Sequence, residues 1–207
     1  MISGGNPGAP RRRAFLALLA AGLCPPGAFA ADTNEPDPWD VKRLMGELAQ
    51  VKIARARFVE RKHLAILNAP LETTGTLLYT APGRLEKNTL TPRQESLVLE
   101  GDRLTLENKE RKQRRTFALQ DQPVIWAFVE SIRSTLAGDL VTLSRFYQVS
   151  LDGGAGDWRL TLKPVAPGMQ EVVNEIRIGG SRDRINTIEI IEAQGDRSVM
   201  TITRDAP

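Results

Sequence analysis

The stretch Thr73-Thr74-Gly75-Thr76-Leu77-Leu78-Tyr79-Thr80-Ala81-Pro82-Gly83-Arg84-Leu85-Glu86-Lys87-Asn88-Thr89-Leu90 sets the fold class. Its two arms are rich in Thr and Leu, and the first sets Leu77 and Tyr79 at alternate positions, the period of a half-buried strand. Pro82-Gly83 between them is a turn signal, because proline presets one backbone angle and glycine accepts conformations closed to other residues. Two strands are therefore expected, near Thr73–Thr80 and Leu85–Leu90.

The same pattern repeats on both sides. A strand is expected near Ala54–Ile66 before this unit, and others near Glu95–Glu100, Arg103–Glu107 and Lys112–Leu119 after it; Asn68-Ala69-Pro70, Pro92 and Gly101-Asp102 separate them. Five more are expected near Arg145–Leu151, Trp158–Lys163, Val172–Ile178, Arg184–Glu192 and Ser198–Thr203, with Gly153-Gly154-Ala155-Gly156-Asp157 and Gly195-Asp196 as tight hairpin connections. Two segments carry helical spacing instead. Val41, Leu44, Met45, Leu48 and Val51 share one face of a helix expected from Trp39 to Lys52. Asp121 and Pro123 open a second, whose apolar stripe Ile125, Phe128, Val129, Ile132 and Leu136 stops at Gly138. Strands in meander order, interrupted so rarely, argue for a mainly β single domain with two or three helices, built on one large curved antiparallel sheet.

The N-terminus reads as an export signal over residues 1–30. Arg11, Arg12 and Arg13 precede the apolar run from Ala14 to Leu23, and Ala28-Phe29-Ala30 supplies a small-x-small site with cleavage expected after Ala30. The run is about half of the ~20 residues a membrane span needs, and Pro25, Pro26 and Gly27 end it. Arg12-Arg13-Ala14-Phe15-Leu16 is also similar to the twin-arginine motif, so the twin-arginine and general secretory routes both remain open. Cys24 follows Leu23, where a lipid-modified cysteine wants a small neighbour, so it reads as part of the discarded signal. Residues 31–38, with Pro36 and Pro38, read as a loose leader, and 39–207 as the domain.

Removing the signal changes the charge argument. Three of the 28 basic residues and none of the 25 acidic ones lie in it, which leaves 25 of each. The positive imbalance belongs to the export tag, and nucleic acid loses its electrostatic case as a partner. The remainder has no cysteine, which excludes disulfides, thiolate nucleophiles and cysteine metal sites.

Catalytic machinery is not expected. His63, the single histidine, sits in a strand-like run without a Gly-x-Ser-x-Gly partner motif, and no clustered Asp or Glu has metal-ligand spacing. The glycine groups do not open helices, so they read as turns and not as phosphate cradles. No cofactor is implied. Lys109-Glu110-Arg111-Lys112-Gln113-Arg114-Arg115 admits two readings: a surface for lipid head groups or an acidic partner, or a solvated hairpin. It lacks the interleaved aromatics of a single-strand nucleic-acid site.

The order of elements, an export signal, an amphipathic helix, strands, a central apolar helix and more strands, resembles the outer-membrane lipoprotein carrier family of the LolA type. The resemblance is carried by Ala56-Arg57-Phe58-Val59-Glu60; by Gly75-Thr76-Leu77-Leu78-Tyr79 with Pro82-Gly83-Arg84-Leu85; by Trp158-Arg159-Leu160-Thr161-Leu162-Lys163-Pro164; and by the region from Ile188 to Ile202 with Gly195-Asp196. It implies an unclosed antiparallel half-barrel with a helical lid. Its apolar concavity would hold the acyl chains of a lipoprotein, or another lipid, and carry them as a monomer through the periplasm, from an inner-membrane donor to an outer-membrane acceptor. A carrier must shield each methylene at about 0.8 kcal/mol without filling its own cavity.

On this resemblance the cavity wall is expected from Leu77, Tyr79, Leu97, Leu99, Leu104, Leu106, Trp158, Leu160 and Leu162, and the lid from Trp126, Phe128, Val129 and Ile132. The same residues would serve equally as a closed, solid core. Two departures from the family stand out. Its usual lid-bonding arginine after the Pro-Gly turn is replaced by Glu86, with Arg84 as the nearby substitute; and only Arg204-Asp205-Ala206-Pro207 follows the last expected strand, a shorter tail than the best-known carriers have. Two alternatives from other classes stay open: a periplasmic regulatory module of related half-barrel form that binds envelope proteins, and a lipid hydrolase using His63.

Overall fold

The computed structural model describes residues 38–205; the expected signal, its cleavage site and nearly all of the leader lie outside the described residues. Helix α1 (Val41–Leu48) begins where the Asp40 carboxylate accepts the Arg43 backbone N–H at 2.8 Å, and it buries Leu44, Met45 and Leu48 on one face. It is shorter than the expected Trp39–Lys52. Lys52 closes its end by donating from Nζ to the Ala49 carbonyl.

Eleven strands follow: β1 (Ile53–His63), β2 (Leu71–Thr80), β3 (Arg84–Thr91), β4 (Glu95–Glu100), β5 (Arg103–Asn108), β6 (Gln113–Ala118), β7 (Tyr147–Gly154), β8 (Asp157–Pro164), β9 (Val173–Ser181), β10 (Arg184–Glu192) and β11 (Arg197–Arg204). They form one antiparallel sheet in the order β6-β5-β4-β3-β2-β1-β11-β10-β9-β8-β7. The sheet is two meanders sewn together at its centre, where β1 pairs with β2 on one side and β11 on the other. Strands β6 and β7 are the two edges and do not pair with each other, so the barrel is unclosed.

That topology dictates where the helices lie. The chain leaves the β6 edge through a 3-10 turn (Leu119–Asp121), then forms α2 (Pro123–Ala137) and α3 (Leu140–Phe146) before entering the opposite edge at β7. The crossover from one rim to the other carries α2 over the concave face. Gly138 ends α2 with φ 69°, and a β-carbon there would lie 2.2 Å from the Met45 carbonyl oxygen, so only glycine allows α1 and α2 this approach. Helix α3 and the single turn α4 (Pro167–Gln170) were not expected, and Arg145 and Phe146 end α3 where the sequence pattern predicts strand. In α3 the cap was legible: the Asp139 carboxylate accepts the Thr142 N–H at 2.9 Å. Its length of 7 residues leaves too few turns for periodicity to register.

The main core lies on the β7–β9 side. Trp158, Leu160 and Leu162 from β8, Ile176 and Ile178 from β9, Leu143 from α3 and the apolar face of α1 pack into one cluster. The Trp158 indole N–H donates to the Arg182 carbonyl at 2.9 Å, and its ring lies over Gly180, where a β-carbon would come within 2.5 Å of it. A smaller cluster of Leu99, Leu104, Leu119 and Val129 closes the opposite side under α2.

Candidate functional site: an apolar cavity beneath the helical crossover

Between α2 and the sheet lies a cavity of ≈ 320 Å³. This falls at the small end of the ~300–1,000 Å³ range of ligand pockets. Strand alternation builds its floor in rows. Tyr79, Leu85, Leu99 and Leu104 stand opposite one another across β2–β5, and Leu77, Lys87 and Leu97 form the next row. Ala54 and Ala56 of β1, Met200 and Ile202 of β11, and Ile185, Ile188 and Ile190 of β10 continue the floor toward the main core. Ile125, Phe128, Val129, Ile132 and Leu136, the stripe on α2, form the roof, and Leu48 and Val51 close one end.

The polar groups that border it stand in three places: Glu60 with Lys87 and Ser198, Glu86 paired with Arg84, and Asp183 paired with Arg204 at 3.2 Å. At the β1–β3 end the Lys87 ammonium meets the Glu60 carboxylate at 2.5 Å, and the Ser198 hydroxyl donates to the other oxygen of Glu60 at 2.7 Å. Lys87 also lies 4.9 Å from the centre of the Phe58 ring. Burial pushes the Glu60 carboxyl up, but the charge and hydrogen bond of Lys87, the Ser198 bond and the charge of Lys62 outweigh it and leave it below its ordinary value. Among the described residues no group of three or more His, Cys, Asp or Glu is placed to hold a metal ion. His63 is exposed at the end of β1, opposite Arg197.

The sequence from residue 33 to residue 206 matches the family described as outer membrane lipoprotein carrier protein LolA-like. The chain belongs to this family. Among curated proteins it is similar to the outer-membrane lipoprotein carrier protein of Pseudomonas fluorescens strain Pf0-1, at 23% identity over 181 residues, 87% of this chain and 84% of that one. The carrier protein of strain Pf-5 is 24% identical, covering 90% of this chain and 86% of that one. Solved structures that resemble it include the LolA superfamily protein NE2245 of Nitrosomonas europaea, at 10% identity and a TM-score of 0.44, covering 81% of this chain and 95% of that one. The Pseudomonas aeruginosa MucA/MucB complex matches at 14% identity and a TM-score of 0.46, covering 80% of this chain and 57% of that one.

Within this LolA-like frame the expected wall residues divide. Leu77, Tyr79, Leu97, Leu99 and Leu104 line the cavity, as do Phe128, Val129 and Ile132 of the lid. Trp158, Leu160 and Leu162 do not; they are at most 1% exposed and belong to the packed core. Leu106 shares the Leu97 row but stands beyond the roof, 38% exposed, in an open trough. Trp126 faces away from the cavity, donating its indole N–H to Glu130 at 3.1 Å and meeting Phe146 edge-on with ring centres 5.5 Å apart.

The substitute lid contact is also placed elsewhere. Arg84 lies on the outer face of β3, where its guanidinium bonds Glu86 and Glu100 at 2.9 and 2.6 Å. Glu86 borders the cavity, with its carboxylate committed to Arg84. The arginine that joins lid to sheet comes from the lid itself. Arg133 of α2 donates to the Gly101 carbonyl in the β4–β5 turn at 3.0 Å, and its stem lies so close over Gly83 that a β-carbon there would approach it to 2.9 Å. Its guanidinium is held by Glu130, which is 2% exposed and also accepts from Ser134 at 3.1 Å. Arg133 was missed because a lone arginine on an amphipathic helix reads as its solvent face; the i, i+3 pair with Glu130 was the available signal.

Proposed function

We propose that this chain is a periplasmic, non-enzymatic carrier that encloses the acyl chains of a lipoprotein or another lipid and delivers them toward the outer membrane. The observation that supports this most is the cavity: apolar side chains from the sheet and from α2 face each other across space they do not fill. Native interiors pack to the density of organic crystals, so an apolar void of this size under a movable element is a site for an apolar guest. The α2 roof is tied to the strands by few polar contacts, among them Arg133 to the Gly101 carbonyl and the Tyr147 hydroxyl to the Ala127 carbonyl, which suits a guest that must enter and leave. Membership of the LolA-like family supports the transport role, and the carrier proteins of the two Pseudomonas fluorescens strains point to lipoprotein cargo.

Native mass spectrometry of gently purified protein is the direct test. The expected result is a co-purifying lipid or acylated peptide, displaced when Ile132 on the roof is changed to Asp. Protein that comes out lipid-free and also fails to bind acylated peptides would overturn the reading.

A further inference from the structure

The polar group of three at the cavity's β1–β3 end stands where the cavity ends and another space begins. Lys87 and Leu97 line both the apolar cavity and an open trough of ≈ 460 Å³ on the same strands, whose other lining includes Glu95, Asn108, Arg111 and Gln113. An apolar chamber thus opens past Lys87 into a groove of mixed lining, where Leu106 stands among charged groups that include Glu107 and Arg115. This is the profile of an amphiphile laid along the strands, tail under α2 and head in the groove.

What Lys87 can offer there follows from its partners. An ammonium has three N–H donors. Glu60 takes one of them, while both carboxylate oxygens of Glu60 are engaged, by Lys87 and by Ser198. The cluster is therefore electrically neutral and retains donor capacity. Both side chains are largely withdrawn from water, Glu60 to 19% and Lys87 to 29% exposure. A pair held only for stability at such a place would be matched or bettered by apolar residues of the same volume. Binding pockets, by contrast, use a small number of placed polar groups to fix a ligand's orientation.

We propose that Lys87, held by Glu60 and Ser198, donates to the carbonyl oxygen of an acyl ester or amide, at the junction where the cargo's chain meets its polar head. A neutral carbonyl gains a charge-assisted hydrogen bond there without adding charge, whereas a free carboxylate would be brought beside Glu60 and repelled. The site thus favours esterified or amide-linked acyl chains over free fatty acids. This inference rests on the acyl-carrier reading above.

Calorimetric titration of the delipidated full chain with three probes of equal chain length tests it: 1-monolaurin, its ether analogue 1-O-dodecylglycerol, which lacks the carbonyl, and laurate. The expected result is 1-monolaurin binding about tenfold tighter than the ether, the scale of one hydrogen bond to a charged donor, with laurate weaker than 1-monolaurin. In the double variant Lys87→Met/Glu60→Gln, which leaves no buried charge unpaired, the ester and ether affinities should converge while the ether's own affinity stays within about twofold. Equal affinities for ester and ether in the unaltered protein, or laurate binding tightest, would overturn the inference while leaving the carrier reading intact. Failure of all three probes to bind would overturn both.

Discussion

Strands β8 and β4 carry the same message and end in different surroundings. Trp158, Leu160 and Leu162 alternate along β8 as Leu97 and Leu99 do along β4, yet the first three are sealed in the core while the second two border a cavity. The floor of one continues into the other: Met200 stands opposite Ile188, Ile188 opposite Ile178, and Ile178 opposite Leu160. What differs is the layer above. Over β8 and β9, α1, α3 and α4 bring Leu44, Met45, Leu48, Leu143 and Met169, all at most 3% exposed, into the spaces between strand side chains. Over β2 to β5 stands α2, whose Val129 reaches the small Leu99–Leu104 cluster and whose Phe128 and Ile132 border the cavity while packing on the margin of the main core. Emptiness in this molecule is set by what the crossover brings opposite a strand.

The contrast is broken most severely on the packed side. Trp158→Ala should cost about 3–5 kcal/mol in denaturant unfolding, because the ring sits against Gly180 and its removal leaves a hole that the rigid sheet cannot close. Leu97→Ala, which enlarges a space already present, should cost under about 1.5 kcal/mol. Similar losses for both variants would mean that the two halves are equally packed.

Arg133→Met should come next, at about 2 kcal/mol, since it leaves the nearly buried Glu130 carboxylate without its cation and frees α2 from Gly101. Hydrogen exchange should show the amides of α2 opening first, with β8 unaffected. Glu130→Gln placed alongside should restore most of the stability but not the protection of α2. Restoration of both would show that Arg133 serves only to neutralise Glu130.

Enlargement sharpens the same comparison with smaller effects. Leu160→Phe forces extra volume into a filled site and should destabilise by about 1–3 kcal/mol. Leu77→Phe projects into the cavity and should be neutral or stabilise by about 0.5–1 kcal/mol while excluding an acyl probe. The two outcomes are read from one pair of melting curves and one binding assay.

These contrasts also mark how far the residues alone could be read. The sheet was legible because strand alternation and turn residues are local: Pro82-Gly83, Gly101-Asp102 and Gly195-Asp196 each sit between strands near where the sequence places them. The roof was legible as the stripe Ile125, Phe128, Val129, Ile132 and Leu136, all of which face the cavity; Trp126, expected in the lid, lies off that stripe. The division between wall and core was not legible, because it depends on α3 and α4, too short to show a period, and on how closely Gly138 lets α1 approach α2. Glu60 and Lys87 were not singled out, because their pairing bridges β1 and β3 across β2 and has no trace in local sequence.

That pairing yields the smallest effect and the only one that depends on pH. Burial pushes the Glu60 carboxyl up in the folded chain, but the charge and hydrogen bond of Lys87, with Ser198 and Lys62, outweigh it and hold it below its ordinary value. A carboxyl depressed on folding contributes stability that is complete above its unfolded value and is lost as pH falls through its folded value. Protein with Glu60 should therefore lose stability between neutral pH and strongly acidic pH more steeply than Glu60→Gln, by a difference of about 1 kcal/mol at most given the partial exposure of the pair. The apolar half of the cavity, formed by groups that do not titrate, should keep its affinity for an ether-linked chain across the same range. A parallel loss of ether binding across the same acid range would instead tie the charged end of the cavity to the integrity of its roof, and would erase the distinction between a chamber shaped by α2 and a junction set by Lys87.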